Sequence, residues 1–266
     1  MKRRLNVNMA GPGAAGALAV AKGLLLPLAA LLLWEWASRQ GSGAAYVFVP
    51  VRQLVRGVAE LCVSGELWLH LRASLARTLQ GLLMGAGAGV AVGALMAQSR
   101  VAERLIGPLF HSIRQVPLLG LVPLLGLWVG SGDAAKLLVI VIAAFYPTVL
   151  NTSEGMRRVD QSYREVGRML TLTRGQTFVR LLLPAALPAI VTGLTHAQAF
   201  SWLACVGGEL LFAAGPGIGS LLVNAEQGGR MDVVLIAVLA IALLAQAMNL
   251  LFQRGAALLV RGRSTL

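Results

Sequence analysis

The residues with chemical capacity in this chain are few, and they lie inside apolar surroundings. Thr195, Gln198, Trp202, Cys205 and Glu209 recur at steps of three and four. That spacing puts them on one stripe of a helix. A polar stripe on an apolar helix cannot face lipid, so it lines either a pathway or a helix–helix contact. His111, Arg114 and Gln115 share a second helical face. There Arg114 either serves a cavity or snorkels to the membrane surface. A third group is Glu165, an acidic residue amid Arg157, Arg158, Arg164, Arg168, Arg174 and Arg180. None of these groups makes a catalytic constellation. The sequence has no G-x-x-x-x-G-K-[ST] phosphate loop, no H-E-x-x-H and no G-x-S-x-G. His70, His111 and His196 are scattered without metal spacing, and so are Cys62 and Cys205. The expectation is therefore no catalytic residue, no cofactor and no metal.

Lipid is the solvent these elements are written for. Of 266 residues, 57% are apolar and 13% are charged, about half the charge of a soluble domain. The mean hydropathy is +0.74. Six apolar runs have the length of a membrane span. They are Leu18 to Ala37, Leu75 to Ala97, Leu105 to Val129, Ala134 to Leu150, Leu181 to Val206 and Val233 to Phe252. The net charge of +12 is distributed between these runs without interleaved aromatics, which excludes a nucleic-acid surface. With the N-terminus inside, fifteen of the 23 basic residues fall on the cytosolic side. The positive-inside rule then places both termini in the cytosol. The fold class is all-α: a polytopic membrane protein of about six transmembrane helices, with residues 1–266 as a single domain.

Three further segments carry a pattern. Gly81, Gly85, Gly89 and Gly93 form a stripe that admits close backbone approach, either to another subunit or within the chain. Val51, Leu54, Val55, Val58, Leu61 and Cys62 mark one face of a helix lying along the outer interface. The stretch of about 151–182 is too long for a simple connection and keeps helical apolar spacing at Val166, Met169, Leu170 and Phe178.

That stretch carries a resemblance. Tyr163-Arg164-Glu165-Val166-Gly167 and Leu181-Leu182-Leu183-Pro184, with nineteen residues from Glu165 to Pro184, resemble the "EAA…G…LP" loop of binding-protein-dependent ABC importer permeases. Gly167 replaces the second alanine, and Thr171 stands at the turn where the family prefers glycine. Arg114-Gln115-Val116-Pro117, Leu127-Trp128-Val129-Gly130, Phe145-Tyr146-Pro147 with Asn151-Thr152, and Gly208-Glu209-Leu210 are similar to segments of the nitrate, taurine and aliphatic sulfonate permeases, in the same order.

The resemblance implies a permease subunit in the bacterial inner membrane, moving a small, often anionic solute. Glu165, Gly167, Thr171, Leu183 and Pro184 would belong to a cytosolic loop that couples to an ATPase. Arg114, Gln115, Thr195, Gln198, Trp202 and Glu209 are the candidate pathway residues. The implied partners are two cytosolic ABC ATPase subunits, a second permease copy, a solute-binding protein and the bilayer. The rival reading is a self-sufficient channel or secondary carrier, which leaves the Glu165–Pro184 loop without a purpose.

Overall fold

The computed structural model describes residues 14–41, 47–212 and 214–261. Lys2, Arg3, Arg4 and Arg263, four of the fifteen basic residues counted on the cytosolic side, lie outside the described residues. The chain divides into two units at Gly57/Val58. In the first, α1 (Ala14–Ser38) leads to the start of α2 (Val51–Val63). The returning chain is tied to α1: the Trp34 indole donates to the Val49 carbonyl at 2.9 Å, and Glu35 accepts the Val51 N–H at 3.2 Å.

The second unit is a helical bundle. Its elements are α3 (Glu66–Gln98), α4 (Arg100–Ile113), α5 (Leu118–Val129), α6 (Asp133–Arg157), α7 (Gln161–Met169) and α8 (Arg174–Thr177). A π-helical turn, Phe178–Leu182, leads into α9 (Leu183–Leu211), then α10 (Ile218–Gln227) and α11 (Met231–Arg261). Among the described residues, four helices are long and apolar enough to cross a bilayer: α3, α6, α8 to α9 taken together, and α11. The pair α4 and α5 makes a fifth if counted as one broken span. The described apolar part of α1, Leu25–Ser38, is shorter.

Helix α6 is the centre. Small residues of its neighbours line its two sides, because lipid supplies no hydrophobic drive and helices must attract by close packing. The glycine stripe is used here, inside one chain. A Cβ on Gly81 would meet Ile140 at 2.7 Å, on Gly85 Ala144 at 2.7 Å, on Gly89 Thr148 at 2.7 Å, and on Gly93 the Val149 carbonyl at 2.7 Å. The stripe therefore seats α3 on α6 and is not free for a second subunit. On the other side, a Cβ on Gly193 of α9 would meet Asn151 at 2.7 Å. Val122, Leu125, Val139, Ile140, Ala143, Ala204 and Cys205 close the core among α5, α6 and α9.

Two boundaries differ from the sequence expectation. The third span, expected to be continuous from Leu105 to Val129, is broken into α4 and α5 at 100°. Pro117 lacks an N–H and restricts Val116 before it, so the helix cannot continue through them. The chain turns instead, with Gln115 N–H on Ser112 and Val116 N–H on Ile113. Helix α6 runs on to Arg157, so the segment between spans begins at Arg158 and not near Asn151.

Candidate functional site

The bend at residues 114–117 opens a cavity of about 550 Å³. Arg114, Gln115, Val116 and Pro117 form its rim, Tyr146, Pro147, Leu150 and Asn151 of α6 its floor, and His196, Phe200, Leu203 and Ala204 of α9 a wall. Most of that lining is apolar; the polar groups are Arg114, Gln115, Tyr146, Asn151 and His196. Asn151 donates to the Pro147 carbonyl, one turn back in its own helix, at 2.8 Å. A few polar groups on an apolar concavity is the general form of a small-molecule site. Arg114 and Gln115 are thus brought to one cavity. Sequence reasoning missed Tyr146, Asn151 and His196; their common signal is position, with Tyr146 and Asn151 on one side of α6 and His196 four residues before Phe200.

The stripe on α9 lies elsewhere. Gln198 is 3% exposed, Trp202 6% and Glu209 0%, and none of them lines the cavity. Thr195 donates to its own helix at Val191, 2.9 Å away. Gln198, Trp202 and Glu209 are packed among the helices of this chain, and the side of α9 that faces the cavity is the one bearing His196, Phe200 and Leu203.

Glu209 has a specific partner set. Arg77 of α3 pairs with it, and the Ser74 hydroxyl donates to it at 2.8 Å. The Gly219 N–H donates to its other oxygen at 2.9 Å. Ser74 in turn accepts the Ile218 N–H at 2.9 Å, and His70 Nδ1 accepts the Gly217 N–H at 2.9 Å. The first N–H groups of a helix have no partner within it. For α10, side chains of α3 and α9 supply them, and a carboxylate there also suits the helix dipole. Arg77 reaches further, to Asp133 at 2.9 Å and the Pro216 carbonyl at 3.1 Å. Buried Lys136 donates to the Ala214 carbonyl. The chain from Ala214 to Gly219 is therefore bound to three helices by charged groups. Neither this cluster nor α10 was anticipated from the sequence.

At the opposite end of the bundle, the segment 158–182 forms two short helices. Asp160 caps α7, accepting the Ser162 N–H at 3.0 Å, and this bond holds its carboxyl below the usual aspartate value. Its cap is fully present above the unfolded pKa and is lost as pH falls through the lowered one. Helix α7 ends in a Schellman motif: Leu172 N–H to Gly167 O at 2.9 Å and Thr171 N–H to Arg168 O at 3.0 Å. The residue between these bonds must be left-handed, and Thr171 has φ +53°. Thr173 then caps α8 in a reciprocal box with Gln176. Gly167 is buried against Thr177, whose side chain a Cβ would meet at 3.0 Å, so glycine at the second alanine position brings the two short helices together. Leu183 opens α9 in direct continuation of the π-helical turn, and Pro184 follows it. Glu165 is exposed and makes no ion pair with Arg168 among the described residues.

A β-branched residue in the left-handed region is strained by about 1–2 kcal/mol, and glycine returns part of that gain through its own backbone entropy. Thr171→Gly is expected to stabilise the motif by about 1 kcal/mol. Hydrogen exchange at the Leu172 amide should slow roughly fivefold. Faster exchange would show that the Thr171 side chain, whose hydroxyl donates to Leu170 O at 2.8 Å, matters more than its strain.

The family model for "Binding-protein-dependent transport system inner membrane component" matches residues 86–265. The protein of Bacillus subtilis (strain 168) provisionally named as the aliphatic sulfonates transport permease SsuC is 36% identical, over 80% of this chain and 77% of its own. The bicarbonate transport system permease CmpB of Synechococcus elongatus is 33% identical, over 90% of this chain and 89% of its own. The taurine transport system permease TauC of Escherichia coli (strain K12) is 34% identical, over 71% and 68%. In fold, the chain resembles a chain of the MetNI methionine ABC transporter in an inward-facing conformation, with TM-score 0.62 and 18% identity, over 73% of this chain and 97% of that one. With its broken third span, its two-helix segment before α9 and relatives matched along most of their length, the chain belongs to the binding-protein-dependent transport inner membrane components, the permease subunits of ABC importers.

Proposed function

We propose that this permease carries a small anion through the cavity at the Arg114 bend, driven by ATP hydrolysis in a separate subunit that docks on α7. The observation that carries the reading is the uncovered apolar face of α7. Tyr163 is 46% exposed, Val166 45%, and Met169 83%, with Leu170 at 60% just beyond. A nine-residue helix between spans with an apolar face open needs a partner to cover it. Glu165 sits on the same helix, its acidic residue beside that surface. The positive-inside count supports a cytosolic α7 with both termini inside, where an ATPase is available. The whole chain acts as one permease domain.

The anion preference rests on Arg114 and on the relatives, whose names specify sulfonates, bicarbonate and taurine. A guanidinium at the rim of an apolar cavity attracts such solutes, and its exposure keeps binding weak enough for release. The cavity is open on one side, and a second permease copy facing it would complete the pathway. A binding protein on the far side would deliver the solute, and the two paired subunits would rock between inward and outward states as the ATPases close.

Glu165→Ala is the test. The variant should insert and remain folded, since Glu165 is exposed and off the core. Association with the ATPase should fall at least tenfold, the loss of about one charge-assisted contact, and uptake should fall with it. Unchanged ATPase association together with full uptake would assign the coupling to other residues of the segment. Solute movement by the permease alone in liposomes would favour a channel or carrier.

A further inference from the structure

A second cavity, of about 390 Å³, lies where α3 turns into α4. Its charged lining is Arg100, Glu103, Arg104 and Arg157. Arg157 pairs with Glu103, joining the end of α6 to the start of α4. Arg100 and Arg104 are exposed, and among the described residues neither makes an ion pair. The cavity therefore holds two guanidiniums with no acceptor, one helical turn apart. Beside them on α4, one residue further round, runs an apolar stripe open to the surroundings: Val101 is 67% exposed, Leu105 72% and Leu109 62%. The two features share a direction. Positive charge sits at the start of α4, and the apolar stripe runs from there along two helical turns, about 12 Å.

We propose that this cavity binds an anionic phospholipid, with its phosphate held by Arg100 and Arg104 and an acyl chain lying along Val101, Leu105 and Leu109. A phosphodiester offers several acceptor oxygens to two guanidiniums, and arginine suits phosphate geometry better than a point charge does. A basic pocket between membrane helices is the general form of such a headgroup site. The apolar stripe separates a lipid from a free phosphate, because inorganic phosphate uses only the arginines. It also separates an anionic lipid from a second protein copy, which would leave the guanidiniums unanswered.

The full-length permease in non-ionic detergent is the sample, with native mass spectrometry as the readout. Phosphatidylglycerol should bind at least tenfold more tightly than phosphatidylcholine. Arg100→Gln with Arg104→Gln should reduce that preference to within about twofold, while Arg174→Gln with Arg180→Gln leaves it intact. A photoactivatable phosphatidylglycerol should label residues 100–113 in the unaltered protein, so a poorly folded variant does not remove the test. Three results overturn the proposal: equal binding of the two lipids by the unaltered protein, displacement of the lipid by millimolar inorganic phosphate, or labelling confined to segments other than α4.

Discussion

Glu209→Ala is expected to lose the end of the bundle that carries α10. The carboxylate is fully buried, and Arg77, 8% exposed, would be left facing a void where its counter-charge stood. Removing one member of a buried pair costs about 3–5 kcal/mol, mostly because the other charge stays desolvated. The Gly219 N–H and the Ser74 hydroxyl would lose their acceptor as well. Asp133 softens the loss for Arg77, since it already accepts from the second guanidinium nitrogen, but it is 69% exposed and its pull is screened by water. The melting midpoint of the detergent-solubilised protein should drop by on the order of 10 °C. Glu209→Gln should cost less, because an amide oxygen still accepts from Gly219. The double replacement Arg77→Met with Glu209→Met should recover much of the loss, since apolar groups of similar volume need no partner. A Glu209→Ala protein that melts within a degree or two of the parent would show that water reaches this pair after all.

This cluster also marks what the sequence could not disclose. Arg77 and Glu209 are 132 residues apart, and His70 and Gly217 147. Each was visible only as a polar residue in or beside an apolar window. Pairing them requires knowing that α3 and α9 bring those ends together, which no local pattern encodes. Four of the six expected spans were legible because each is a long apolar helix, and the fold class follows from that. The break at Pro117 was not, since Pro108, Pro123, Pro147 and Pro188 all sit inside helices that continue past them. A proline permits a break, and the surrounding packing decides whether one occurs. Thr171 is the contrary case. Its departure from a glycine position could be read from the segment's resemblance alone, and its φ of +53° gives the physical reason glycine is preferred there. The polar stripe on α9 follows from residue spacing alone. Its direction was not legible, because burial against helices and exposure to a pathway both demand that it avoid lipid.

The glycine stripe had the same ambiguity, and its resolution within one chain leads to the second large effect. Gly85→Val is expected to force α3 and α6 apart. A Cβ there would press on the Val141 carbonyl oxygen and come to 2.7 Å from the Ala144 Cβ. Neither neighbour is the end of a flexible side chain, so no rotamer change relieves the overlap. Overpacking of this kind costs about 1–3 kcal/mol where side chains can shift, and more where backbone must move. Here the move is collective. Gly81, Gly89 and Gly93 hold the same two helices at the same separation over successive turns, so widening the gap at Gly85 loosens the contacts on both sides of it. Gly87→Val is the control, on the same helix two residues away, with nothing within 4 Å of its Cβ. The change in helix propensity is the same for both and small, a few tenths of a kcal/mol. The difference in melting midpoint between the two variants therefore reads the helix contact alone. Gly87→Val should melt with the parent, while Gly85→Val should fall well below it or fail to accumulate in the membrane. If the two variants melt alike, α3 and α6 do not pack through this stripe. The glycines would then be free again for a contact between subunits.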